Sequence, residues 1–104
     1  METIDRAPRF SFPTKEKADE FCKWLRGETY KYDVVIINDI LRERGIPTVP
    51  EGWHRGYDRK ITKKLKPNKS GGFWLVELPI PGRMVRDENG YWKTEDISED
   101  GGDG

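Results

Sequence analysis

The sequence predicts a small α+β domain, two or three helices packed on a short antiparallel sheet. Three observations carry that expectation. Apolar residues recur at helical spacing over 14–26, aromatic and aliphatic residues form a strand-like block over 73–78, and an Asn89-Gly90 pair separates two short runs near the end. The 104 residues suffice for one domain. Hydrophobic residues are only 34 % against 37 % charged, a balance close to where chains stop folding, but the four Trp, four Tyr and four Phe supply large apolar surfaces for a core.

Taken in order, Arg9-Phe10-Ser11-Phe12 alternates and stops at Pro13, which suits a short strand or an extended lead-in. From Thr14, a capping residue, the spacing of Ala18, Phe21, Cys22 and Leu25 predicts a helix to Arg26, with Gly27 as its stop and its apolar face on the 73–78 strand. Cys22 lies on that face as a small buried hydrophobe.

The block Val34-Val35-Ile36-Ile37 is β-branched, which favours a strand. A helix from Asp33 to Arg44 is the preferred reading: Asp33 can cap it, Ile36, Ile37, Ile40 and Leu41 form a stripe, and Gly45 and Pro47 close it. The alternative is a strand ending near Asn38, then a short helix from Asp39.

Gly45 to Trp53 reads as an extended connector with a turn at Val49-Pro50-Glu51-Gly52. Trp53, Tyr57, Ile61 and Leu65 then recur every four residues, compatible with helix or strand; a helix over Asp58 to Lys66 is favoured by the Asp58 cap and by Pro67. Residues 67–72 read as a loop, Phe73 to Leu78 as a strand, and Arg83 to Arg86 with Tyr91 to Thr94 as a hairpin. Residues 1–94 are thus read as one domain, and 95–104 as an acidic flexible tail with too little apolar surface to offset ordering.

Several functional classes find no support. The start lacks a basic, apolar leader and no apolar run approaches a membrane span, so a cytoplasmic location without membrane contact is expected. One cysteine and one histidine, His54, offer no metal-ligand spacing, and no phosphate loop, nucleophile elbow or triad pattern occurs. A non-enzymatic protein is expected, with no cofactor, no metal and no small-molecule substrate.

Charge segregation is the feature that exceeds the ordinary. Residues 53–69 hold seven cations against one carboxylate, a formal +6, while residues 87–104 hold seven carboxylates against one cation, a formal −6. Cations interleaved with flat rings suit a polyanion, because cations displace counterions and rings stack on bases. The candidate nucleic-acid-binding residues are therefore Trp53, His54, Arg55, Tyr57, Arg59, Lys60, Lys63, Lys64, Lys66 and Lys69, with the acidic tail moderating the binding. The expected element order, with a basic third helix before a strand pair, is also that of a winged helix. The alternative is a protein-binding inhibitor or adaptor of the kind phage or mobile elements encode, acting on a host protein. Its anchors would come from Trp53, Trp74, Tyr91 and Trp92, since such rings dominate interface energetics.

Overall fold

The computed structural model describes residues 7–95, which form seven strands and three helices in an α+β arrangement. Strand β1 (Arg9–Phe12) alternates exposed and buried residues as its sequence predicts, and the long helix α1 (Lys15–Tyr32) follows. The Thr14 side chain accepts a hydrogen bond from the Lys17 amide at 3.2 Å, capping the first turn. Ala18, Phe21, Cys22, Leu25 and Thr29 form the buried stripe.

The helix does not stop at Gly27. A mid-helix glycine costs about 1 kcal/mol relative to alanine, and packing outweighs that cost: Thr29, one turn beyond Leu25, is fully buried with its hydroxyl 2.7 Å from that of Thr62. The stop is Asp33, whose φ of 74° places it in the left-handed region and whose amide donates to the Thr29 carbonyl at 2.9 Å.

Asp33 therefore ends one helix rather than starting another, and the preferred Asp33–Arg44 helix is corrected. Residues Val34–Ile36 form strand β2, and helix α2 (Ile37–Glu43) follows directly. The reason is physical: β-branched side chains fit a pleated sheet better than a helix, and β2 has an antiparallel partner in β3 (Arg55–Asp58), with Val35 opposite Tyr57.

The 58–66 helix is corrected too. Asp58 caps as expected, its carboxylate accepting from the Ile61 amide at 3.3 Å, but α3 (Arg59–Thr62) is a single turn. The basic segment thus supplies no long third helix of the kind a winged helix inserts in a groove. Gly56 shows why its N-terminal half is strand: it lies between Ile36 and Gly82, and a Cβ there would come within 2.2 Å of the Val35 carbonyl oxygen.

Residues 67–72 are not a plain loop. Strand β4 (Asn68–Ser70) pairs with β5 (Phe73–Glu77) through a Gly71-Gly72 turn in which Gly71 has a φ of 60°. Strands β6 (Gly82–Arg86) and β7 (Trp92–Glu95) form the expected hairpin. Asp87 closes its turn: its carbonyl accepts from the Gly90 amide at 3.0 Å and its carboxylate from the Asn89 and Tyr91 amides at 2.9 and 3.0 Å. The acidic segment read over 95–104 begins inside β7 at Glu95; residues 96–104, like 1–6, lie outside the described residues.

The strands make two antiparallel sheets, β1-β5-β4 and β2-β3-β6-β7. The buried core draws on both sheets and on α1, with the Phe21 ring 5.2 Å from those of Phe10 and Phe12, and with Leu25, Val35, Ile40, Tyr57, Val76 and Leu78 completing it. Among the described residues no helix is long and apolar enough to cross a membrane.

Candidate functional site

The basic segment does not fold into one surface of interleaved cations and rings. Tyr57 is fully buried, its hydroxyl donating to the Pro79 carbonyl at 2.6 Å, and burial pushes its ionisation far above the ordinary phenol range. Its expected role as an exposed stacking ring is corrected: a residue opposite Val35 on the inner sheet face belongs to the core. Arg55 is half-buried and donates from Nε to the Pro81 carbonyl at 3.1 Å. Arg59 spans Asp33 (3.1 Å) and the Thr29 carbonyl (3.4 Å), and so ties α3 to the end of α1. Both arginines hold the fold together.

The lysines remain available. Lys60, Lys63, Lys64, Lys66 and Lys69 are all exposed, and none makes an ion pair among the described residues. They follow the flank of α1. Near Lys60, Thr29 contacts Thr62 and Arg26 donates to the Leu65 carbonyl at 3.2 Å; at the other end Lys69 and Lys15 lie 5.5 and 5.9 Å from the Trp74 ring. From Lys15 to Thr29 the helix rises roughly 21 Å at about 1.5 Å per residue, so the lysines form a ridge rather than a compact patch. Its aromatic is the half-buried Trp74, not Trp53 or Tyr57.

Trp53 points elsewhere. It ends a 3-10 turn (Pro50–Trp53) held by Asn38, a fully buried residue of α2 whose amide donates to the Val49 carbonyl at 2.7 Å and accepts from the Val49 amide at 3.0 Å. Gly52 packs so closely on that amide that a Cβ would lie 2.1 Å from the Asn38 oxygen. The clip places Trp53, 45 % exposed, at the edge of an open groove of about 790 Å³.

Three elements build the groove. The β2-β3-β6-β7 sheet gives Val34, Ile36, Met84 and Trp92, which share its outer face by register. Helix α1 gives Trp24, Glu28 and Tyr32, one stripe at four-residue spacing, and α2 gives Asp39, Arg42 and Glu43. Three of the four tryptophans thus meet on one concavity. Arg42 is paired with Asp39 at 3.8 Å and lies 5.8 Å from the Trp53 ring; Arg86 lies 4.7 Å from the Trp92 ring. His54 is exposed beyond the 3-10 turn and fixes the groove floor only through its backbone, whose carbonyl accepts from the Met84 amide at 3.0 Å.

Sequence reasoning misses Trp24, Glu28 and Tyr32 because a helix that stops at Gly27 hides their common stripe. Asp39 and Arg42 carry no sequence signal beyond the helix that contains them. Among the described residues no cluster of His, Cys, Asp and Glu could hold a metal ion. The lone Cys22 is buried, and burial raises its thiol pKa. No protein-family model, curated protein or solved structure matches the chain.

Proposed function

We propose that the protein is a non-enzymatic protein-binding module that receives a partner segment in the Trp24–Trp53–Trp92 groove. The observation that carries this reading is the convergence of three indoles, Tyr32 and Met84 on a single open concavity of about 790 Å³. Exposed aromatics and methionine are depleted on ordinary surfaces and enriched where partners dock, and a concave, largely apolar site with a few polar groups is the usual form of a binding pocket. A stoichiometric inhibitor or adaptor needs no more chemistry than this. The test is selection of peptides from a displayed random library on the full chain. Selected peptides should lose binding to Trp53→Ala and Trp92→Ala and keep it with a Lys60→Gln, Lys63→Gln, Lys64→Gln variant. Selected peptides that ignore both tryptophan changes would end this reading.

A second reading, contact with nucleic acid, is favoured by the lysine ridge from Lys60 to Lys69, where five ammonium groups without an ion pair among the described residues follow one flank and Trp74 supplies a ring. Binding there would rest on phosphate neutralisation and fall steeply with salt. It ranks second because the rings expected to stack on bases are elsewhere: Tyr57 is in the core and Trp53 lines the groove, with Arg42 over its ring.

A further inference from the structure

We infer that the segment accepted by the groove is cationic, an extended peptide presenting arginine or lysine between apolar residues; this rests on the protein-binding reading above. The argument is one of charge and ring chemistry. The groove is lined by three carboxylates, Glu28, Asp39 and Glu43, against one guanidinium, Arg42, with a second guanidinium, Arg86, over the Trp92 ring, so that carboxylates still outnumber cations. Asp39 is already paired with Arg42, whereas Glu28 and Glu43 have no ion-pair or hydrogen-bond partner among the described residues. Two carboxylates without an ion-pair partner among the described residues therefore flank an apolar floor, on a chain whose formal net charge is zero.

The rings point to the same ligand. An indole is the ring whose face attracts a cation best, through its quadrupole, and the cation found there is more often a guanidinium than an ammonium. Two of the groove's indoles already carry one from the chain itself, Arg42 on Trp53 and Arg86 on Trp92. An incoming arginine would meet the remaining ring surface and the carboxylates together, while its aliphatic stem and an adjacent leucine cover Met84, Val34 and Ile36. An acidic segment would set its charges against Glu28 and Glu43, and a nucleic-acid backbone would do the same.

The experiment titrates the full-length protein with three N-acetylated, C-amidated octapeptides that alternate leucine with arginine, glutamate or glutamine, read by tryptophan fluorescence and by indole N–H resonances. The arginine peptide should bind, shift the Trp53 and Trp92 indoles, and weaken with added salt. Glu28→Gln with Glu43→Gln should weaken it about tenfold, as loss of two exposed charge pairs implies. Asn or Gln at Asp96, Glu99, Asp100 and Asp103 should leave it unchanged, which excludes attraction to the acidic end of the chain. If the glutamine or glutamate peptide binds as tightly at the same indoles, or if the Glu28/Glu43 variant binds the arginine peptide normally, the cationic assignment is overturned while the protein-binding reading stands. If the arginine peptide leaves the groove indoles unmoved, the assignment is likewise overturned, and the reading itself is then judged by the library selection.

Discussion

Replacing Asn38 with alanine should release the connector that carries Trp53, and the structure sets the size of the effect. Asn38 is fully buried, and its amide makes both hydrogen bonds that Val49 offers, 2.7 Å to the carbonyl and 3.0 Å from the amide. Removing it leaves two backbone groups without partners, each costing about 1 to 3 kcal/mol if it stays buried. Val49 is half-buried, so solvent recovers part of that cost and the expected loss is about 2 to 3 kcal/mol.

The same geometry predicts a coupling. Gly52 has no positive φ, so alanine suits its backbone, yet a Cβ there would lie 2.1 Å from the Asn38 oxygen. Gly52→Ala alone must therefore push the amide off Val49 and lose a similar 2 to 3 kcal/mol, roughly the value of the same two hydrogen bonds. In the Asn38→Ala background the new methyl enters vacated space and adds little. Urea unfolding of the four proteins measures this cycle, with an expected coupling of about 2 kcal/mol. Additive losses, or an Asn38→Ala loss below about 0.5 kcal/mol, the ordinary range for inert surface changes, would refute the clip.

Other outcomes follow from the core and the lysine ridge. Phe21→Ala, which removes a ring packed on Phe10 and Phe12, should cost about 3 to 5 kcal/mol in a thermal or urea melt. Tyr57 keeps its proton in the folded state well above the pH at which the unfolded phenol loses it, near about 10. The unfolded state therefore binds fewer protons above that pH, stability is full below it, and it should fall by up to about 1.4 kcal/mol per pH unit as pH rises further. Tyr57→Phe should abolish that component, as urea midpoints between pH 9 and 11 would reveal. If oligonucleotides bind the ridge, Lys60→Gln, Lys63→Gln and Lys64→Gln together should make the slope of log K against log salt shallower by up to about 2.7, and an unchanged slope would remove those lysines from the contact. Cys22 should react slowly with a thiol reagent in the native protein and at once in urea, since its thiol is buried and its pKa raised.

What local residue pattern decides could be read from the sequence. The Thr14 cap, the Phe21–Leu25 stripe, the 73–78 strand and the Asn89-Gly90 turn depend on neighbours within a few positions. Elements set by distant partners could not be read in the same way. Gly27 is a poor helix residue that survives because Thr29 meets Thr62, 33 residues away. The segment after Asp33 is strand because Tyr57 and Gly56 stand opposite it. The same limit governs the site. The charge run over 53–69 is visible in one dimension, but whether Trp53 and Tyr57 share its surface depends on β3 entering the sheet between β2 and β6. That entry buries Tyr57 and leaves Trp53 at the edge of the groove.

The distribution of the four tryptophans makes one spectrum decisive. Trp24, Trp53 and Trp92 line the groove, whereas Trp74 lies beside Lys15 and Lys69 on the other candidate surface. Indole N–H resonances of the full chain, assigned by single Trp→Phe changes and recorded with and without a library-selected peptide, should shift for Trp24, Trp53 and Trp92 and stay fixed for Trp74. A shift at Trp74 and at the backbone amides of 60–69, with the three groove indoles unmoved, would contradict the groove as the binding site and move the function to the lysine ridge.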